Sequence, residues 1–194
     1  MSKQIKVAVG ISGASGAIYG VRLLESLQAV GVESHLVISP DAERTILTET
    51  SYTLSQVRAL AGKDYDYTNI GAAIASGSFL IDGMVIAPCS IKTLSAVANS
   101  YNDNLLVRAA DVCLKEKRKL VMLVRETPLH LGHLRLMTSV AEIGATIMPP
   151  VPAFYHLPES IDDIVNQTVG KVLDQFGIKH HLFKRWNGEV GKGA

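Results

Sequence analysis

Short apolar segments alternate along this chain with longer segments of helical periodicity, which predicts an α/β domain on an open, mostly parallel sheet. The expected strands, 6–11, 34–38, 83–87, 119–124 and 145–148, are apolar throughout rather than alternating, as strands covered on both faces are. Between them the sequence leaves room for helices at 17–30, 41–48, 55–61, 91–98, 104–117, 129–143 and 160–176. The first strand runs into Gly10-Ile11-Ser12-Gly13-Ala14-Ser15-Gly16 and then into Ala17, Val21 and Leu24, apolar at helical spacing. Strand, glycine turn and helix in that order, followed by strand–helix alternation, describe a single Rossmann or flavodoxin-like domain with helices on both faces. The last helix is the most explicit. Ser160 and Asp163 form a capping box with Asp in place of Glu. Ile161, Ile164, Val165, Thr168, Val169, Val172 and Phe176 form its stripe, and Gly177 suits its stop. One domain over 1–178 is expected, with 179–194 as a C-terminal segment.

Composition narrows the function classes. The 194 residues carry a formal net charge of +1, so no broad electrostatic footprint points to nucleic acid. The run Lys115-Glu116-Lys117-Arg118-Lys119 reads as a solvated helix end. No apolar run is long enough to span a bilayer, so membrane insertion is not expected. Met1-Ser2-Lys3-Gln4 leads straight into a strand without signal-peptide character. Cys89 and Cys113 have neither CxxC nor zinc-ligand spacing. A cytoplasmic protein without disulfides is therefore expected. The high hydrophobic fraction, 47%, fits either a large core or buried subunit contacts.

Ligands of such sheets sit at the carboxyl ends of the strands, and each expected strand ends in distinctive residues. The first leads to Ser12–Gly16, the second to Ser39-Pro40-Asp41, and the third to Pro88-Cys89-Ser90-Ile91-Lys92-Thr93. The fourth leads to Arg125-Glu126-Thr127-Pro128 and the fifth to the Pro149–Tyr155 stretch. The glycine turn brings backbone N–H groups and a helix N-terminus toward an anion, usually a phosphate. It is neither GxGxxG nor a P-loop, since GK[ST] is absent. Asp41 could serve a dinucleotide ribose but fits a helix start equally well. A mononucleotide such as FMN would use Ser39, Ser90, Thr93 and the amides near Ile91; helix capping is the alternative for each hydroxyl. His130 and His133, one turn apart, supply too few ligands for a metal, so no metal site is expected. Cys89 reads as a small buried residue rather than a nucleophile.

The motifs in order resemble the UbiX-type flavin prenyltransferases, a family formerly labelled aromatic acid decarboxylases. They are the Gly10–Ala17 turn, Ala75-Ser76-Gly77-Ser78-Phe79, Pro88–Leu94, Arg108-Ala109-Ala110-Asp111-Val112, Leu114-Lys115-Glu116, Arg125-Glu126-Thr127-Pro128-Leu129, Pro149–Tyr155, Leu173-Asp174-Gln175-Phe176-Gly177 and Arg185-Trp186. The resemblance implies transfer of a dimethylallyl group from dimethylallyl monophosphate to N5 and C6 of reduced FMN, without a metal. The product would serve a UbiD-type decarboxylase. It implies that Gly13, Ala14, Ser15, Ser39, Ser90, Ile91, Lys92, Thr93 and Arg125 contact FMN. Ser76, Lys115, Arg125, Tyr155 and Lys171 would hold the prenyl phosphate. Ser15 and Glu49 would assist proton movements, Glu126 would organise the basic site, and Trp186 would line the prenyl group. It further implies a homo-oligomer, commonly a dodecamer, with sites at subunit contacts to which the 179–194 segment contributes.

The residue chemistry is compatible. Breaking an allylic C–O bond builds charge on phosphate, which Lys115, Arg125 and Lys171 could stabilise as it develops. Aromatic faces at Tyr155 and Trp186 could stabilise the allylic cation. Lys171 stands where many relatives carry Arg and looks exposed by its helical spacing with Gln167 and Asp174. Two other readings stay open: an FMN-dependent cysteine-type decarboxylase, and an FMN carrier without turnover. The first is disfavoured by Pro-Cys-Ser-Ile-Lys-Thr at 88–93 in place of an Asn-containing motif, and by the lack of His between Thr50 and Ala75.

Overall fold

The computed structural model describes residues 4–186 and Gly188. The rest of the 179–194 segment lies outside the described residues. Six parallel strands form one sheet: β1 (Lys6–Ile11), β2 (Glu33–Ile38), β3 (Lys63–Tyr65), β4 (Gly83–Cys89), β5 (Lys119–Val124) and β6 (Thr146–Ile147). Their order across the sheet is β3-β2-β1-β4-β5-β6, which reverses beside β1 as in a doubly wound fold. Seven α-helices accompany them among the described residues: α1 (Ala17–Ala29), α2 (Pro40–Glu49), α3 (Leu54–Ala59), α4 (Ile91–Ala98), α5 (Leu105–Lys115), α6 (Leu131–Glu142) and, after the last strand, α7 (Ile161–Gln175).

Strand side chains alternate between two apolar layers. Val7, Val9 and Ile11 of β1 join Leu24 and Leu27 of α1, Ile46 of α2 and Val169 and Val172 of α7. Ala8, with Met84 and Ile86 of β4, joins Leu94 of α4, Leu105 and Leu106 of α5 and Val140 of α6. Burial on both faces is why these strands read as continuous apolar runs.

Several boundaries differ from expectation, each for a local reason. β3 was not anticipated: Lys63 and Asp64 are exposed, and only Tyr65 is buried. It is an edge strand held to β2 by backbone pairing of His35 with Lys63 through Val37 with Tyr65. β6 is shorter than the expected 145–148 segment. α3 starts earlier because Thr53 and Gln56 form a capping box, and α6 starts later because His130 caps it. The Ser160–Asp163 capping box of α7 forms as expected. Its first stripe residue does not pack: Ile161 is 79% exposed, while polar Gln167 is only 7% exposed. Among the described residues, no helix is long and apolar enough to cross a membrane.

Candidate active site

The carboxyl edge of the sheet gathers the first group of expected residues. Ser12 leaves β1 and hydrogen-bonds across to β4, and the turn then folds tightly, with the Ala14 N–H donating to the Ser12 carbonyl (2.8 Å). A Cβ at Gly13 would lie 2.3 Å from Cβ of Asp41, so glycine lets α2 pack directly onto the turn. Asp41 thus covers the turn from the start of α2. Gly16, the N-cap of α1, has φ +98°, a left-handed conformation that suits glycine.

Glu49 lies beside this turn. Its carboxylate reaches from the end of α2 and accepts the N–H groups of Gly16 (2.7 Å) and Ala17 (3.2 Å). It caps α1, whose N-cap residue has no side chain to do so. The α1 N-terminus is therefore already engaged by an anion of the protein. The N–H groups of Gly13 and Ser15 make no hydrogen bond among the described residues, so they are open to an anion.

Ser39 accepts the Ala42 N–H (3.2 Å) and caps α2; Ser90 accepts the Thr93 N–H (3.3 Å) and caps α4. Capping uses a hydroxyl lone pair, so the Ser39 proton remains free to donate outward. The Ser90 proton points to Oγ1 of Thr93 (3.1 Å), which leaves the Thr93 proton to be donated onward. Both readings of these hydroxyls are thus compatible in one geometry. Helix geometry leaves the first-turn amides of Ile91 and Lys92 without intrahelical acceptors. Arg125 follows β5, tied by its backbone N–H to the Cys89 carbonyl (3.0 Å). Its exposed guanidinium makes no ion pair among the described residues. The charge of Arg125 does reach Tyr19: burial raises that phenol's pKa, opposed by a Thr168 hydrogen bond and by Arg125. Glu126 bonds within its own loop, to the Thr127 N–H (3.0 Å). A cleft of about 400 Å³ opens beside this edge between α4 and α5, lined by Lys92, Thr93, Tyr67 and Asn104.

Ser76 and Lys115 lie elsewhere. α5 runs back to the amino edge of the sheet, so Lys115 at its end is separated from Arg125 by the length of β5, about 20 Å at ~3.3 Å per residue. Lys115 pairs with Glu116, and Lys115 holds that carboxyl below the usual range. Both flank Gly77, where a Cβ would lie 2.8 Å from Nζ of Lys115. Arg118 donates to the carbonyls of Gly77 (2.5 Å) and Phe79 (2.8 Å), and Arg108 to that of Ala75 (3.2 Å). Sequence reasoning gave no role to Arg108 or Arg118. The signal was the 108, 111, 115 spacing, which puts Arg108, Asp111 and Lys115 on one side of α5.

The third group lies on α7 and the segments on either side of it. Asp174 is its hub, receiving Nη1 (2.9 Å) and Nη2 (2.6 Å) of Arg185 and Nε2 of His180 (3.2 Å), with Lys171 Nζ at 3.7 Å. The Arg185 hydrogen bonds, then that from His180, hold its carboxyl at a pKa of about 2. Trp186 meets Tyr155 edge to face, with ring centroids 6.3 Å apart. Lys171 is exposed, as its spacing suggested. The expected residues thus fall on three parts of the chain: flavin-side residues at the carboxyl edge, Ser76 and Lys115 near the end of α5, and Lys171, Tyr155 and Trp186 near α7, whose Thr168 meets the same Tyr19 that feels Arg125.

A profile described as Flavoprotein matches residues 1–173. The flavin prenyltransferase UbiX of Thauera aromatica is 63% identical over 184 residues, 95% of each chain. This chain belongs to the flavin prenyltransferase family. The solved AnUbiX, in complex with FMN and dimethylallyl pyrophosphate, superposes with a TM-score of 0.95 at 47% identity, covering 97% of this chain and all of that one. A dodecameric FMN-dependent UbiX-like decarboxylase from Escherichia coli O157:H7 gives 0.93 at 48% identity, covering 95% of this chain and all of that one.

The carboxyl edge fits the flavin mononucleotide of this family. Among the described residues, it has unengaged turn amides at Gly13 and Ser15, hydroxyl protons at Ser39 and Thr93 left to donate, and the cation of Arg125 without an ion pair. Burial pushes the Cys89 thiol pKa up, and that of Cys113 to about 12. His130 Nδ1 accepts the Gly132 N–H (3.0 Å) as the α6 cap, with its ring 3.6 Å from that of His133. Among the described residues, no group of three or more His, Cys, Asp or Glu is placed to hold a metal.

Proposed function

We propose that this flavin prenyltransferase transfers the dimethylallyl group of dimethylallyl monophosphate to reduced FMN, without a metal. The observation that carries the reading is 63% identity over 95% of the chain to a flavin prenyltransferase. Gly13, Ala14, Ser15, Ser39, Ser90, Ile91, Lys92, Thr93 and Arg125 hold FMN at the carboxyl edge. Reduced flavin, when bound, would supply nucleophilic N5 and C6, the two positions the new ring bridges.

Ser76, Lys115, Arg125, Tyr155 and Lys171 bind the donor phosphate. The three cations stabilise it most as the allylic C–O bond breaks and its charge grows. Lys115 leaves Glu116, and Lys171 its loose contact with Asp174, to do so. Tyr155 and Trp186 present aromatic faces to the allylic fragment as it gains positive character. Glu49 accepts the proton released on ring closure, with Ser15 relaying at the turn. Glu126 organises the basic site around Arg125. Water is excluded, because it would capture the cation as an alcohol.

Lys115 and Arg125 lie at opposite edges of one chain, too far apart to touch one phosphate. We infer that copies of the chain bring them together in a homo-oligomer, a dodecamer by analogy with the solved UbiX-like relative. The product passes to a UbiD-type decarboxylase, and the protein works in the cytoplasm. The test is anaerobic incubation with reduced FMN and dimethylallyl monophosphate, without metal, followed by flavin mass. Gain of one C5 prenyl unit is expected; unchanged flavin, with FMN binding confirmed, would refute transferase activity and favour a carrier.

A further inference from the structure

Ser12 sits between the two turns to which the proposed function assigns FMN, and its hydrogen bonds link them. It is 1% exposed. Its hydroxyl donates to the Pro88 carbonyl (2.9 Å) and accepts the Ser90 N–H (2.8 Å). Its own N–H donates to the same Pro88 carbonyl (3.2 Å), and its carbonyl accepts the Ala14 N–H (2.8 Å). One buried residue therefore bonds to the β4 end, to the start of the Ser90–Thr93 turn and to the middle of the Gly13–Ser15 turn.

The backbone explains why a hydroxyl is needed there. β1 and β4 pair in regular parallel register from Val7 with Gly83 to Gly10 with Ile86. Pro88 has no N–H, so it cannot donate to a neighbouring strand. The pairing of β4 with β5 also shifts register between Ile86 and Cys89. The Ser12 side chain takes over the β1–β4 link where the regular pairing ends, and carries it to Ser90. Without that hydroxyl, the segment from buried Pro88 to half-buried Ser90 keeps a single backbone bond to the first turn, the 3.2 Å contact from Ser12 N.

We propose that Ser12 is a positioning residue: it locks the Ser90–Thr93 turn against the Gly13–Ser15 turn and so sets FMN affinity. This rests on the proposed assignment of FMN to those turns. The experiment uses the full chain with Ser12→Ala and Ser12→Cys, measuring FMN dissociation by fluorescence titration, Ser90 amide exchange in the FMN-free protein, and donor KM at saturating FMN. For Ser12→Ala, FMN Kd should rise roughly tenfold, equivalent to about 1.4 kcal/mol. Ser90 amide protection should fall and donor KM should stay unchanged, a split that general loosening would not give. Ser12→Cys, with its weaker donor and acceptor, should lie between. An FMN Kd for Ser12→Ala within twofold of the parent, or undiminished Ser90 protection, would overturn the role. If Ser12→Ala does not fold, parental FMN affinity in Ser12→Cys overturns it instead. Failure of the parent protein to bind FMN defeats the proposed function separately, while Ser90 exchange still reads the clamp.

Discussion

Replacing Glu49 by Gln and by Ala separates two roles that meet in one carboxylate. Structurally, Glu49 is the α1 cap, accepting two amides at 2.7 and 3.2 Å. Loss of such a cap costs about 1 kcal/mol, with up to about 1 kcal/mol more from the charge at a helix N-terminus. Glu49→Ala loses both, and at this chain length its unfolding temperature should fall by about 3–6 °C. Glu49→Gln keeps an oxygen that can accept the same amides and loses only the charge, so it should fall by about 1–3 °C. Chemically, neither variant can take the proton. Prenyl transfer should drop by about 10²–10⁴-fold in both. The assay pairs thermal unfolding of the FMN-free protein with turnover followed by flavin mass. Turnover of Glu49→Gln within tenfold of the parent would refute the proton role. A Glu49→Ala variant as stable as the parent would refute the cap.

Asp174→Asn should lower stability by about 1 kcal/mol, the ~2 kcal/mol implied by its depressed pKa being reduced by solvent screening of exposed Arg185. Because the folded pKa is depressed to about 2, this contribution is full above the unfolded value of 3.8 and fades as pH falls toward 2. Acid unfolding curves of parent and variant should therefore converge across that window; a constant offset would contradict the ion pair. Gly13→Ala, whose new Cβ would sit 2.3 Å from Asp41 Cβ, should push α2 off the turn. Calorimetry should read a loss of about 1–3 kcal/mol, with FMN affinity lowered as well. Lys115→Ala should lower prenyl transfer sharply and leave FMN Kd unchanged, since Lys115 is assigned to the donor phosphate rather than to FMN; an equal loss of FMN binding would contradict that assignment.

The buried strands and the α7 start were legible because their signals are local. β1, β4 and β5 are apolar on both faces, and Ser160 and Asp163 form the cap their spacing suggests. β3 was not legible: Lys63-Asp64-Tyr65 joins the sheet through backbone pairing that leaves little side-chain pattern. Ile161 fitted the α7 stripe by period yet faces outward, because a helix's first turn need not reach the core. At the site, residue types were readable but their grouping was not. Lys115 and Arg125 lie ten positions apart, and only the return of α5 antiparallel to β5 puts them at opposite edges. Ser12 looked like one more small polar residue in a glycine turn; its role depends on Pro88, seventy-six positions away.

Glu49 and Lys115 are proposed to act at one site from different copies of the chain. Differently tagged Glu49→Gln and Lys115→Ala chains, each inactive alone, can be co-expressed and the doubly tagged oligomers isolated. With random mixing, half the copies supply an intact Glu49 and half an intact Lys115, so about one quarter of the sites should be complete and active. Prenyl transfer at about a quarter of the parental rate is the predicted result. Mixed oligomers as inactive as either variant alone would contradict it, because a site built within one chain can never be complete in such a mixture.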